Sequence, residues 1–164
     1  RLYEMMQFVT LDRTKVDLIQ HCFEQRSQHR NLTIHIGCDS IVRGGTVWYV
    51  TAVVFRYGAH GAHFIFSKVN VPSYRKYDNK PDIFTRLFQE AVYTLEIANF
   101  LIDNNIFMKE DIVLEFDYND MKITKSTPLV GAAAGMATSQ GYNILLKSDL
   151  QMACKAANQI CQSC

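Results

Sequence analysis

The sequence predicts an α/β domain in which a mixed five-stranded sheet, three antiparallel strands followed by two parallel strands, has helices on both faces. Three observations support this prediction. Residues 32–71 contain three runs of strand-favouring residues separated by glycine turns. Residues 84–101 then repeat apolar side chains at helical spacing. After that point short apolar runs alternate with helical segments, which is typical of strands joined by crossover helices.

Length and charge limit the organisation of the chain. Its 164 residues, 48% of them hydrophobic, suffice for one domain with a buried core, so we treat 1–164 as one domain with 1–28 as a helical accessory cover. The 17 basic and 16 acidic residues nearly cancel, so binding to nucleic acid would need a local patch. No bilayer-spanning apolar run and no signal-peptide pattern is present, so we expect a cytoplasmic protein without membrane contact. Arg1 in place of methionine indicates a fragment or a processed chain.

The first part of the chain predicts a helix and then an antiparallel meander. After Thr10 and Asp12, an amphipathic helix running to about Ser27 is indicated by apolar residues at helical spacing: Val16, Ile19, Cys22 and Phe23. The meander consists of three apolar runs separated by turns at Gly44-Gly45 and Gly58–Gly61: Leu32–Cys38, Thr46–Tyr57 and His63–Val71. The first run is interrupted at Asp39-Ser40, where we expect the strand to end.

The second part predicts two more strands, each between helices. The long helix has one apolar stripe: Phe84, Leu87, Phe88, Ala91, Leu95, Ala98 and Leu101. The elements after it are a strand at Ile112–Phe116, a Gly- and Ala-rich helix at Thr127–Gln140, a strand at Asn143–Leu146, and a helix from Asp149, with Ser148 as its cap, to about Cys161. Right-handed crossovers between neighbours place the first strand beside the fourth.

The five cysteines do not form the paired clusters of a structural zinc site, so we expect reduced thiols. Cys161 and Cys164 form a Cys-x-x-Cys pair. The pair closes a predicted helix instead of beginning one beside a strand, so a metal or redox role is the less favoured interpretation.

Two aspartates follow apolar strands directly, Asp39 and Asp117. In open α/β sheets reactive groups gather beyond the carboxyl ends of strands, and neighbouring strands lie about 4.8 Å apart. The two carboxylates can therefore converge on one or two cations, as in two-metal phosphoryl transfer. Hard oxygen ligands suit Mg²⁺ or Mn²⁺. The alternative is that each aspartate caps a turn, as Asp commonly does.

Other acidic residues lie near these strands. Glu90 and Glu96 are six positions apart on the long helix, about 240° around its axis, so at least one of them should face solvent. Glu115 and His35 lie on strands that should be buried. Two interpretations of this pair remain open, a role at the site or a cross-strand polar pair within the core.

Several motifs together resemble a known family. They are Ile36-Gly37-Cys38-Asp39-Ser40, Arg86-Leu87 with Glu90, Thr94-Leu95-Glu96, Phe116-Asp117-Tyr118-Asn119, Lys125-Ser126, Gly141-Tyr142 and Lys147. This pattern, over roughly residues 30 to 160, resembles the bacterial ribonuclease H-like family typified by YkuK, long catalogued as a domain of unknown function. The resemblance implies a ribonuclease H-like fold and a metal-dependent nuclease, with Asp39, Glu90 and Asp117 at the positions of the acidic ligands.

The sequence departs from that family pattern at three places. Glu115 stands where the family has His, Lys147-Ser148 replaces Lys-Pro, and Ala157-Asn158-Gln159 replaces Ala-Asp-Arg. Asn158 offers a neutral oxygen in place of a charge, which would weaken a second metal site. Asp149, the only acidic residue of that predicted helix, is the alternative ligand.

These observations leave three functions open. The favoured one is a Mg²⁺- or Mn²⁺-dependent nuclease acting on RNA, DNA or a hybrid. Its candidate substrate-binding residues are Ser40, Asn119, Lys125 and Lys147, with Lys122, Arg75 and Lys76, interleaved with Tyr74 and Tyr77, as further contacts. The second is an inactive module that binds nucleic acid or protein, which the balanced charge and Asn158 favour. The third, an actin-like nucleotide-binding domain, is disfavoured because the chain is too short for a second lobe and the Gly44-Gly45 turn lacks a phosphate-loop context.

Overall fold

The computed structural model describes residues 6–72, 83–116, 131–146 and 150–164. The helices and strands in these ranges are, in chain order, β1 (Phe8–Val9), β2 (Lys15–Val16), α1 (Leu18–Gln28), β3 (Leu32–Arg43), β4 (Thr46–Tyr57), β5 (Ala62–Pro72), α2 (Ile83–Asp103), β6 (Ile112–Glu115), α3 (residues 131–139), β7 (Asn143–Leu145) and α4 (Ala153–Cys161). None of the helices in the described ranges is long and apolar enough to cross a membrane.

The strands form one mixed sheet in the order β2-β1-β5-β4-β3-β6-β7. The antiparallel meander of β3, β4 and β5 is confirmed, and so is the parallel placement of β6 beside β3 and of β7 beside β6. The prediction of five strands was wrong, because β1 and β2 add an antiparallel hairpin along β5. The sheet therefore has seven strands within the described residues.

The N-terminal segment also differs from its prediction. α1 begins at Leu18, where the carboxylate of Asp17 accepts a hydrogen bond from the backbone N–H of Gln20. The described residues before it, 6–17, are not helical, because a tight turn with Arg13 at φ 71° reverses the chain between β1 and β2. Phe23, expected on the apolar face, is 61% exposed.

β3 is longer than predicted. The apolar run is interrupted at Asp39, yet β4 pairs with β3 over its whole length, up to Arg43. The hairpin closes through Gly44 and Gly45, both with positive φ, as a two-residue turn of this twist requires. Asp39 consequently lies inside a strand and not at its end. Parallel pairing with β6 stops at Gly37, so residues 38–43 of β3 extend beyond that pairing.

Helices cover both faces of the sheet, as predicted. On one face Ile34 and Ile36 of β3 belong to the core that contains buried residues of α1, α2 and α3. On the other face α4 packs on Val50, Ala52 and Val54 of β4. The predicted apolar stripe of α2 is largely buried, although Phe88 is 41% exposed and the side chain of Phe84 lies outside the described residues.

The Gly- and Ala-rich helix, predicted at Thr127–Gln140, is described as α3 over residues 131–139, and 127–130 lie outside the described residues. Its alanines Ala133 and Ala137 are buried in the core. A Cβ atom added at Gly131 or Gly135 would have nothing within 4 Å. The alanines, and not the glycines, therefore make the close contact with the sheet.

The start of α4 lies directly on β3 at Gly37. A Cβ atom at this position would come within 2.7 Å of the Cys154 sulfur and 3.0 Å of the Cys154 backbone nitrogen. Real Cβ atoms essentially never come within 3.0 Å of another heavy atom, and a contact of 3.0 Å is tighter than nine in ten of those observed. The absence of a side chain at Gly37 is thus what allows α4 to pack against the strand.

Glu115 fixes the same end of α4. Its carboxylate, 1% exposed, accepts hydrogen bonds from the backbone N–H groups of Met152, Ala153 and Cys154 at 2.8–3.1 Å. These N–H groups have no partner within the helix, and the helix dipole favours a negative charge there. The Met152 side chain makes no capping bond, and the predicted cap Ser148 lies outside the described residues with Asp149. Glu115 at the end of β6 therefore serves as the cap of α4.

His35 completes this polar group. Its Nδ1 lies 2.8 Å from Oε2 of Glu115, and both residues are buried. A carboxylate oxygen accepts, so this hydrogen bond forms in the histidine tautomer that carries a proton on Nδ1. Of the two interpretations left open for this pair, the cross-strand polar pair in the core is the one observed.

We expect Gly37→Ala to lower the free energy of unfolding by about 1–3 kcal/mol, because an added methyl group must displace the first turn of α4. Chemical denaturation measures the change. Gly135→Ala is the matched control, since its methyl group meets nothing and should stabilise α3 by about 0.5–1 kcal/mol. Equal effects of the two variants would contradict the close packing described for Gly37.

Replacing Glu115 by Gln should lower the free energy of unfolding by about 1–3 kcal/mol, because one amide oxygen cannot replace both carboxylate oxygens toward α4 and His35. Glu96→Gln, at a partly exposed position of α2, should change it by less than about 0.5 kcal/mol. Denaturation of both variants at neutral pH tests the difference. A Glu115→Gln protein as stable as its control would show that the cap is unimportant.

Candidate active site

The geometry of α4 brings Asn158 to Asp39. Asn158 follows Cys154 by four residues, a rise of about 6 Å along the helix, and Asp39 follows Gly37 by two strand residues, about 6.6 Å. Because Cys154 packs against Gly37, and both elements advance by a similar distance, the side chains of Asn158 and Asp39 come together. The amide nitrogen of Asn158 donates to Oδ2 of Asp39 at 2.8 Å. The departure from the family pattern at Asn158 therefore has a structural role, which is to bind the first aspartate.

Glu90 of α2 is bound on the face of the sheet opposite to α4. Ser40 follows Asp39 and points to the α2 side, as alternation along a strand requires. Its hydroxyl donates to Oε2 of Glu90 at 2.6 Å. Arg86, one turn before Glu90 on α2, donates from Nε to the Ser40 hydroxyl at 3.2 Å and from Nη2 to the Ser40 carbonyl at 3.1 Å. Ser40, predicted to bind substrate, thus connects α2 with β3.

The carboxylates of Asp39 and Glu90 are both buried, on opposite faces of β3. Asp39 is 4% exposed and Glu90 is 5% exposed. Burial raises the pKa of the Cys38 thiol, and the negative charges of Glu90 and Asp39 raise it further. Burial likewise raises the pKa of the Cys161 thiol, with Asp39 and Glu90 adding to the effect. Both thiols therefore experience the field of both carboxylates, at the part of β3 that extends beyond β6.

This electrostatic environment also bears on the Cys-x-x-Cys pair. All five cysteines are free thiols. Cys161 is buried in the contact between α4 and the sheet, and its raised pKa disfavours the thiolate, which is the nucleophile and the metal ligand. Cys161 thus has neither the exposure nor the acidity of a redox thiol.

The second aspartate of the predicted site cannot be placed. Asp117 lies outside the described residues, as do Asn119, Lys122, Lys125, Lys147, Asp149, Tyr74, Arg75, Lys76 and Tyr77. The described chain ends there at Phe116, whose N–H donates to the carbonyl of Leu145 at 3.2 Å and whose carbonyl accepts from Gln151 at 3.0 Å. These bonds fix the end of β6. The proximity of Asp39 and Asp117 remains a prediction.

Glu96, the other acidic residue of α2, is partly exposed, in agreement with the expectation that one of the two helix glutamates faces solvent. The sequence motif contains Arg86, but it does not predict the hydrogen bonds from Arg86 to Ser40. The available signal was the spacing of four between Arg86 and Glu90, which places both side chains on one side of the helix.

The described side chains at this site that have an oxygen able to bind a metal ion are two carboxylates and one amide: Asp39, Glu90 and Asn158. Such hard donors fit Mg²⁺ or Mn²⁺ better than a softer metal. No group of three or more His, Cys, Asp or Glu residues that could hold a metal occurs in the described ranges. A complete ligand set would therefore need a further carboxylate from outside them.

Comparison with known proteins bears on the fold. No curated protein and no solved structure gives a significant match to the chain. A family model described as "Ribonuclease H-like" matches residues 15–162, which includes every strand from β2 to β7 and all four described helices. The match extends over most of the chain, and the observed mixed α/β sheet agrees with it. The chain belongs to the ribonuclease H-like family.

Proposed function

We propose that the protein is a metal-dependent nuclease that hydrolyses phosphodiester bonds with Mg²⁺ or Mn²⁺. The observation that carries this proposal is the pair of buried carboxylates, Asp39 and Glu90, beside the part of β3 that extends beyond β6. Both side chains offer hard carboxylate oxygens, the ligands that Mg²⁺ and Mn²⁺ prefer in proteins.

The register of the parallel strands supports Asp117 as a third ligand. β3 and β6 are paired up to Gly37 opposite Glu115. Two residues further along each chain are Asp39 and Asp117. Carboxylates at equivalent positions of neighbouring parallel strands would lie close enough to share a cation, since the strands are about 4.8 Å apart.

The roles of the chain's own residues follow from their contacts. Asn158 orients the Asp39 carboxylate by donating to one of its oxygens, and Ser40, itself held by Arg86, orients Glu90. A bound Mg²⁺ or Mn²⁺ would polarise the phosphoryl oxygen and lower the pKa of a coordinated water. Asn119, Lys125 and Lys147 remain the proposed contacts to the phosphate backbone, and Asp149 the alternative ligand.

Asp39→Asn should lower the rate of cleavage of RNA, DNA or hybrid substrates in Mn²⁺ by more than about 100-fold, a greater loss than removal of an outer-sphere partner of a metal ligand usually causes. Gel-based cleavage assays with each substrate measure the rate. Glu96→Gln is the matched control and should retain it. Equal cleavage by Asp39→Asn and the unmodified chain would identify the activity as a contaminant.

A non-catalytic module that retains the fold is the second candidate function. The observation that favours it is the amide of Asn158 bonded to Asp39, where the family pattern has an aspartate. Titration calorimetry with Mn²⁺ separates the two candidates. Binding that disappears in Asp117→Ala supports the nuclease, and no detectable binding to the unmodified chain supports the module.

A further inference from the structure

We propose that Trp48, Lys68 and Arg43, which we call the Trp48 platform, bind a single-stranded segment of nucleic acid. An unpaired base stacks on the indole, and the two cations face the phosphates. As a statement about substrate class this inference rests on the proposed function, because the platform would hold the strand beside the nuclease site. Its argument uses different residues from those of the site.

The strand register places the platform on the same sheet face and at the same end as Asp39. Trp48 pairs with Ile41, and Val50 pairs both with Asp39 on one side and with Lys68 on the other. Trp48 is therefore a diagonal neighbour of Asp39 in the sheet, about 7–8 Å away between backbones. This spacing corresponds to about two nucleotides at a rise of 3.4 Å in a stacked strand.

The three side chains of the platform are accessible to solvent. Trp48 and Lys68 are partly exposed and Arg43 is exposed, whereas Val47, Tyr49 and Val50 are buried. The Lys68 ammonium lies 5.6 Å from the centroid of the indole, a cation–π contact that keeps positive charge at the ring. Arg43 donates from Nη2 to the carbonyl of Gln162 at 3.4 Å, which places its guanidinium beside the end of α4.

The charged residues of the elements around the platform are mostly basic. Together β3, β4, β5 and α4 contain a single acidic residue, Asp39, which is buried, and four basic residues: Arg43, Arg56, Lys68 and Lys155. The chain as a whole has a formal net charge of only +1. Arg56 lies at the other end of β4, so Arg43 and Lys68 are the strand residues that supply positive charge at the Trp48 end, where it is complementary to a polyanion.

The combination of an aromatic ring with two flanking cations indicates a single strand. Stacking on the indole requires a base that is not already stacked and paired within a duplex. The cations act on phosphate without reading sequence, so both RNA and DNA are suitable occupants. The sequence alone does not show this site, because Trp48 and Lys68 become neighbours only through the β4–β5 register.

Trp48 is the only tryptophan of the chain, so its fluorescence reports directly on the platform. The full chain is titrated in EDTA, which prevents metal-dependent cleavage, with oligouridylate, with oligothymidylate and with a blunt DNA duplex. We expect saturable quenching by both single strands and much weaker quenching by the duplex. Quenching by the duplex alone would overturn the proposal.

Variants then test each contact by the anisotropy of labelled oligonucleotides. Trp48→Ala should weaken binding by about 5- to 150-fold, the loss of one stacked base, and Trp48→Phe should recover part of it. Lys68→Ala and Arg43→Ala should each lower the slope of log affinity against log salt by about 0.7. Arg56→Ala is the matched control, because Arg56 lies on the same face of β4 but at its other end, opposite Thr33.

The outcomes separate this inference from the nuclease proposal. If the unmodified chain does not cleave but binds single strands through Trp48, the platform stands and the nuclease proposal fails. If it cleaves while folded Trp48→Ala, Lys68→Ala and Arg43→Ala bind as tightly as Arg56→Ala, the platform is wrong and the nuclease proposal stands. Absence of any binding by the unmodified chain also overturns the platform. Circular dichroism of each variant confirms that it is folded.

Discussion

The contact on which the site depends is the one between the Glu115 carboxylate and the first turn of α4. The buried carboxylate accepts hydrogen bonds from three backbone N–H groups, and His35 is hydrogen-bonded to the same carboxylate. Gly37 leaves room for the same turn on β3. The direction and height of α4 are set there, so that Asn158 reaches Asp39 one helical turn later. A residue to which the proposed chemistry assigns no role thus sets the position of the partner of the first aspartate.

Much of the fold could be predicted because its signals are local. The valine- and tyrosine-rich run of β4, the glycine pair that closes the β3–β4 hairpin and the periodic α2 each indicate their structure within a dozen or so residues. β1 and β2 could not be found in this way, because two residues show no periodicity and only pairing with β5 makes them strands. The predicted β3 was too short for a similar reason. A polar pair interrupts its apolar run, and only β4 shows that the strand continues.

The site could be predicted in part. Asp39, Glu90 and Asn158 were identified from motifs, and the structure brings Asn158 to Asp39 and surrounds both carboxylates with buried groups. The function of Glu115 as a helix cap was beyond sequence reasoning, because its partners lie 37 to 39 residues further along the chain. The hydrogen bonds from Arg86 to Ser40 and from Ser40 to Glu90 could not be predicted from the sequence either, because they depend on how α2 packs across β3. The convergence of Asp117 with Asp39 is still a prediction.

The adjacency of Asp39 and Ser40 has a mechanical consequence. These consecutive residues share one peptide unit, yet the first is bonded to α4 and the second to α2, on opposite sides of the sheet. A rotation of that peptide would strain both attachments at once. One peptide unit therefore connects the contacts of both carboxylates, so a shift of either helix would also displace the contact with the other helix. In an arrangement of this kind one backbone segment fixes the positions of two carboxylates, so neither can adjust independently of the other.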